Sequence, residues 1–307
     1  MKQIQNVVEY LLVQLLVFPV RLMPHRLALR LGVGLGGFVY HIVPIRREVA
    51  LQNIARSFPE KSDDEVRAIC RQVYRNFGQN IVEFIRMPKM DDHFYREYIS
   101  VVGGELLERA GHEGRGAICL SGHFGNWEFF PAVIHRLGFP MVGLARDQRN
   151  PLVNKLINQT RTGWGVEITH LGMGVRTIFR ALKANKFVTI LADQDAHNEG
   201  VFVDFLNRPS STASGPALFA LKTGAPLIFG VVVRGQVGRH TLQLEEIDHR
   251  DLQGVTPENI HELTQRHARL LEKYIRLHPD HWLWMHKRWK TSPPAGPAED
   301  GNPVAQD

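Results

Sequence analysis

Ala117-Ile118-Cys119-Leu120-Ser121-Gly122-His123-Phe124-Gly125-Asn126-Trp127-Glu128 decides how this chain is read. Its apolar opening reads as a buried strand, Gly122 and Gly125 flank a turn, and a helical pattern begins at Trp127. A histidine and a carboxylate at such a junction are a candidate general base, His123, and its orienting partner, Glu128. The same H-x4-E spacing recurs at His240/Glu245 and at His267/Glu272. On a helix five residues advance about 500°, about 140° net, which turns His267 away from Glu272. On a strand an odd offset puts His240 and Glu245 on opposite faces. Only a strand-to-helix turn folds the two side chains together, and only the first copy has the glycines that permit it.

Outward from this junction the texture is uniform. Gly116–Leu120, Met141–Ala145, Phe187–Asp193 and Leu227–Arg234 read as strands, and His240–Ile247 as a later, antiparallel one. Between them run helical patterns at Trp127–Leu137, Pro151–Thr162, Met173–Ala184 and Gly215–Thr223, and Pro257–His278 is a long amphipathic helix. This alternation predicts an α/β fold, a central mixed β-sheet flanked by helices. Upstream, Glu48–Met87 has helical period broken at Phe58-Pro59, with Ser62 as N-cap of its second half. In open α/β sheets ligands bind beyond the carboxyl ends of strands, where His123 falls. Backbone amides near Asn126 and Trp127, at a helix start, are placed to hold an oxyanion or a phosphate.

The N-terminus differs. Val7–Met23 is mostly apolar but contains Glu9, Gln14, Pro19 and Arg21, at the lower limit for a membrane span. No A-x-A cleavage site follows, so a signal peptide is not expected. The reading is a helix held in or on a bilayer, with Arg21, His25, Arg26 and Arg30 meeting anionic headgroups. Three segments result: a membrane-anchoring helical segment over 1–45, a catalytic domain over 46–290 and a disordered tail over 291–307. The formal net charge of +6 calls for an anionic partner. Cys70 and Cys119 are too few for a disulfide framework or a metal cluster, which fits a reducing compartment.

Rival constellations are weaker. There is no G-x-S-x-G nucleophile elbow and no phosphate-binding P-loop. Gly32-x-Gly34-x-x-Gly37 matches a dinucleotide fingerprint in form, yet no strand precedes it, and Gly32-x-x-x-Gly36 is equally a helix-packing motif. Asp193-Gln194-Asp195 after a predicted strand resembles the D-x-D of metal-dependent glycosyltransferases, the runner-up reading, but two acids are few ligands for a divalent ion. The cluster of His281, Trp282, Trp284, His286, Lys287, Arg288, Trp289 and Lys290 is read as an interfacial aromatic and basic belt rather than a nucleic-acid surface.

Taken together, SGHFGNWE at 121–128, ARDQRNP at 145–151, Arg161-Thr162-Gly163, Ala192-Asp193-Gln194-Asp195 with Gly200-Val201-Phe202-Val203, and Trp284-Met285-His286-Lys287-Arg288-Trp289-Lys290 resemble, in order, the motifs of the late, lauroyl/myristoyl-type lipid A biosynthesis acyltransferases, within the glycerol-phosphate acyltransferase-like superfamily. The resemblance implies an acyl chain passed from a thioester, on acyl carrier protein or acyl-CoA, to a hydroxyl of a phosphorylated membrane glycolipid. It implies no cofactor, no metal and no nucleic acid, and a place at the cytoplasmic face of a cell inner membrane. It implies that His123 and Glu128 form the catalytic dyad. Arg146 and Arg161 would lie near the acceptor's phosphates, and Asp193 and Gln194 beside the site; Asn126 joins them from its place in the first motif. Phe205-Leu206 and Trp289 depart from the usual residues of their motifs, and relatives acylate other glycolipids, so the acceptor stays open.

Overall fold

The strand that opens the decisive stretch lies at the centre of the molecule. In the computed structural model, which describes residues 2–170 and 174–294, all of Ala117–Ser121 (β2) is buried. Alternate residues feed opposite faces. Ile118 and Leu120 join Val188, Phe229 and Leu271 on one side, while Ala117 and Cys119 join Phe129, Phe130 and Phe187 on the other. A strand buried on both faces has no polar alternation, which is why it reads as a plain apolar run.

Around β2 are β1 (Ile99–Val102), β3 (Met141–Ala145), β4 (Val166–His170), β5 (Phe187–Leu191), β8 (Leu227–Arg234) and β9 (His240–Glu246). They form a seven-stranded sheet in the order β1-β9-β8-β2-β5-β3-β4. Every pairing is parallel except β8 with β9, so the sheet is mixed and His240–Glu246 is antiparallel to its predecessor, as expected. The expected helices are present as α7 (Phe129–Arg136), α8 (Pro151–Thr162), α9 (Gly174–Lys183), α10 (Gly215–Thr223) and α11 (Pro257–Leu277). The expected start of α9 at Met173 lies outside the described residues. Edge strands β1 and β4, and the separate antiparallel pair β6 (Val201–Phe205) and β7 (Arg208–Thr212), have no counterpart among the predicted elements. All are short: β1 has four residues, β4 and β7 are largely polar, and β6 pairs only with β7 outside the main sheet, so their pairing is supplied by neighbours rather than by their own pattern.

Ahead of the sheet come α1 (Lys2–Leu22), α2 (His25–His41), α3 (Arg47–Ser57) and α4 (Asp63–Arg86), then α5 (Asp92–Tyr98) and, after β1, α6 (Glu105–Glu113). Ser62 and Glu65 close a reciprocal capping box at the start of α4. Gly36 of α2 sits so close to α4 that an added Cβ would lie 2.1 Å from the Tyr74 carbonyl oxygen, so the glycine pattern is a helix contact. Helix α1 packs Val17 and Val20 beside Val82 and Ile85, while Ile4, Leu11, Leu12, Leu15 and Phe18 are exposed. It is long and apolar enough to cross a membrane.

The C-terminal aromatic and basic cluster is corrected by the structure. Trp282, Trp284 and Arg288 are at most 1% exposed, so most of this segment's bulk is core and cannot form a membrane belt. The segment wraps over the sheet end instead: Trp282 bridges to Phe124, and Arg288 donates to the Gln194 and Ser211 carbonyls. Composition alone could not separate the two, because an indole with a single polar N–H suits either setting. Cys70 and Cys119 are buried free thiols, as expected. The tail is expected to be disordered; from residue 295 onward it lies outside the described residues.

Candidate active site

Strands β2 and β5 are parallel neighbours with Ser121 opposite Leu191, so the residues two past each strand end emerge side by side. Those residues are His123 and Asp193. One carboxylate oxygen of Asp193 meets His123 Nδ1 at 2.8 Å, and the other accepts the His123 backbone N–H at 2.7 Å and the Trp282 Nε1–H at 2.9 Å. Asp193 is 3% exposed, while the His123 side chain keeps 20% of its surface. A carboxylate on Nδ1 fixes the tautomer that leaves Nε2 as the basic nitrogen.

This revises the expected dyad. Glu128 does not orient His123: both of its oxygens take hydrogen bonds from Arg161, Nε at 2.9 Å and Nη2 at 2.6 Å. The glycine turn permits a return toward His123, but Glu128 begins α7, and the edge of the Trp127 ring occupies the place beside the imidazole, 5.2 Å between centroids. Glu128 acts on His123 through charge alone. Burial by itself lowers the His123 pKa, but the charge and hydrogen bond of Asp193, helped by Glu128, outweigh it and raise the pKa. Burial would raise the Asp193 pKa, but His123 and the donors around it hold it well below the usual carboxylate range.

The turn that carries His123 is held from behind by a buried polar network that no motif of the sequence marks. Gly125 has φ +53°, and a Cβ there would lie 1.7 Å from the Val232 carbonyl oxygen, so only glycine closes this turn against β8. Asn80 donates to the Gly125 carbonyl. Fully buried Glu83 accepts from Asn126 at 2.7 Å, from Arg234 through two nitrogens and from His240 at 2.9 Å. Burial would push the Glu83 pKa up, but Arg234 and His240 reverse the direction. One signal points to it: Asn76, Asn80 and Glu83 share the buried face of α4, where an ordinary amphipathic helix would place aliphatic residues.

The other predicted residues divide. Asn126 is 1% exposed with its amide turned inward to Glu83, so it supports the turn and cannot touch a substrate. Its backbone N–H is bonded to Val232 O and is not free for an oxyanion. Arg146 is exposed at the carboxyl end of β3, on the same sheet edge as His123, with its guanidinium in no ion pair among the described residues. Arg161 is bound to Glu128 through two nitrogens and lies over the Phe84 ring, so it is a brace in this state and not a free phosphate ligand. Gln194 is exposed beside Asp193.

The D-x-D reading fares worse. Asp193 is saturated by His123 and Trp282, and Asp195 Oδ2 bonds Thr291 at 3.0 Å with His197 at 3.3 Å. Among the described residues no three His, Cys, Asp or Glu side chains gather as metal ligands. What the edge can do is acid–base chemistry: a shielded imidazole, tautomer fixed, with one nitrogen open and cations near.

Comparison with known proteins matches the profile of the bacterial lipid A biosynthesis acyltransferases to residues 2–291. The chain is 26% identical over 275 residues to the lipid A biosynthesis palmitoleoyltransferase of Escherichia coli K12, covering 88% of this chain and 87% of that protein. It is 26% identical over 288 residues to the lipid A biosynthesis lauroyltransferase of the same strain, covering 90% and 89%. To the phosphatidylinositol mannoside acyltransferase of Mycolicibacterium smegmatis it is 27% identical over 212 residues, covering 68% and 69%.

Proposed function

We propose that this chain, which belongs to the bacterial lipid A biosynthesis acyltransferase family, moves a fatty acyl group from a carrier thioester to a hydroxyl of a phosphorylated glycolipid such as a lipid A precursor. It is an acyltransferase; the donor, acceptor and residue roles below are the proposal. His123 Nε2 removes the proton from the acceptor hydroxyl as its oxygen attacks the thioester carbonyl. As the tetrahedral intermediate collapses, the C–S bond breaks and the imidazolium returns its proton to the departing thiolate. Asp193 stabilises the imidazolium throughout and keeps Nδ1 protonated. No covalent acyl-enzyme is required.

The observation that carries this reading is the His123–Asp193 pair, with both carboxylate oxygens engaged and Nε2 directed away from it. The surroundings fit the substrates. Phe77, Ile81 and Phe84, spaced one turn apart on α4, stay partly exposed, and Phe77 stacks on Trp127 at 6.2 Å. That stripe offers an acyl chain an apolar path beside His123. Arg146 is the cation for an acceptor phosphate, with a planar guanidinium suited to paired contacts. The name of the mycobacterial relative keeps the acceptor class broad: a phosphorylated glycolipid, whether a lipid A precursor or a phosphatidylinositol mannoside. Anchoring by α1 at the cytoplasmic face of the inner membrane would bring lipid and soluble acyl carrier together.

Mass spectrometry of glycolipids from cells lacking the chain tests the reading. One acyl group should be missing, wild type should restore it, and His123→Ala should restore it roughly 10²–10⁴ times more slowly, the range for loss of a positioned base. A full acylation pattern in the deletion, or full rescue by His123→Ala at matched protein level, refutes it.

A further inference from the structure

Helix α2 carries an apolar face that the protein does not cover. Leu27, Phe38 and Ile42 are 50%, 54% and 66% exposed, with Gly34 and half-buried Leu35 between them at helical spacing, while Leu31 on the same side packs against the cluster that holds Val17 and Val20 of α1. An added Cβ at Gly34 or Gly37 would meet nothing within 4 Å, so the second half of the helix is open on this side. The chain continues past the helix end with exposed Val43 and Ile45.

The flanks of the stripe differ. Ala28, Gly32 and Gly36, each one residue after a stripe leucine, are buried against the protein. Arg26, Arg30 and His41, each one residue before a stripe residue, fall about 100° round the other way. Neither Arg26 nor Arg30 has a hydrogen bond or ion pair among the described residues; both are exposed, at the rim of a cleft shared with Gln72, Gln79 and Asp280. Protein on one flank, cations on the other and apolar side chains between is the cross-section of a helix lying in a lipid interface. A water-facing helix would waste the stripe, whereas an anionic lipid surface meets both the stripe and the arginines.

Packing settles the orientation. Gly32 and Gly36 hold one side of α2 against the backbone of α4, so the helix stays beside the protein, and its 17 residues rise about 26 Å, only the lower limit for a hydrocarbon core of roughly 30 Å. We infer that α2 lies in the plane of an anionic bilayer surface, its stripe from Leu27 to Ile42 among the acyl chains and Arg26 and Arg30 at the lipid phosphates. It thus serves as a second membrane contact that sets the tilt of the catalytic domain. Because Gly32 and Gly36 lock α2 to α4, and α4 bears Glu83 behind the His123 turn, that contact would fix the height of the active site over the lipid surface. The inference rests on the anchoring of α1 and refines it.

The test uses the full chain in vesicles of phosphatidylethanolamine and phosphatidylglycerol. Single cysteines at Leu27, Phe38 and Ile42 carry nitroxide labels, with labels at Leu11 and Leu15 of α1 and at exposed Glu48 as controls; the native thiols are buried. Oxygen collisions should exceed those of a water-soluble nickel chelate at Leu27, Phe38 and Ile42, by a similar ratio at each, since an in-plane helix keeps one depth. A ratio climbing from residue 27 to 42 means a tilted insertion and overturns the inference. Nickel access at these sites with Leu11 and Leu15 still in lipid places α2 in water and overturns it alone. Exclusion of both reagents means another protein surface covers the stripe, which also overturns it. Nickel access at Leu11 and Leu15 as well brings down the anchoring reading itself.

Discussion

Asp193→Asn is the sharpest probe of the site. The substitution keeps size and shape but removes the charge, and it replaces one acceptor by an NH₂ donor at a position where three donors converge: His123 N at 2.7 Å, His123 Nδ1 at 2.8 Å and Trp282 Nε1 at 2.9 Å. An asparagine can accept with only one oxygen, so at least one donor faces another donor. If it is Nδ1, the imidazole shifts its proton to Nε2 and the base is lost. Carboxylate-to-amide changes behind a catalytic histidine remove about 10³–10⁴ of kcat, or about 4–5 kcal/mol of barrier. The pH profile adds a second readout. His123 acts as base only when neutral, so wild-type kcat/KM should fall as pH drops through its raised pKa. Without the Asp193 charge, burial dominates and the pKa falls, so the acid limb should move to lower pH while the plateau collapses. The assay is purified protein with acyl carrier thioester and phosphorylated glycolipid, product counted by mass spectrometry from pH 5 to 9. A folded Asp193→Asn variant within threefold of wild type, with an unmoved acid limb, would refute the reasoning.

Two further predictions follow from neighbouring geometry. Arg146→Ala should raise the lipid KM by roughly tenfold or more, the worth of a charge-assisted contact, and spare the thioester KM, whereas Arg161→Lys, by loosening its two-point hold on Glu128, should lower kcat instead; steady-state kinetics with each substrate varied separates them, and the reverse pattern would exchange the assigned roles. Glu83→Gln leaves Arg234 buried without a counter-charge and should destabilise the fold by about 3–5 kcal/mol. The Glu83 pKa is lower folded than unfolded, so wild type gains stability above about 4.5 and loses it as pH falls, and this acid sensitivity should be weaker in the variant; calorimetric Tm against pH checks it, and an unchanged Tm at pH 7 rules the network out as a support.

Some elements are legible in the chain itself because their signal is local. Strand β3, helices α8 and α10 and strand β8 have the boundaries their patterns predict, since period and punctuation by proline and glycine act within a few residues. The capping box at Ser62 is likewise a matter of three residues. Strands β1 and β4 have no such signal: β1 has only four residues and pairs with β9, far along the chain, and β4, though it pairs with the preceding strand β3, is a largely polar edge run.

The site follows the same division. Sequence alone determined that His123 stands at a strand-to-helix turn at the sheet's carboxyl edge, because one apolar strand, two glycines and one helix start are all local. It also determined that Arg146 follows β3 at that edge. Only the tertiary structure decided which acid serves the histidine. Spacing favoured Glu128, five residues on; parallel register between β2 and β5 delivered Asp193, 70 residues on, and left Glu128 to Arg161. It likewise turned Asn126 inward and buried Trp282 and Trp284. A hydrogen bond requires side chains to converge within about 3 Å. Across a sheet that convergence is set by strand order and register, which no local pattern encodes.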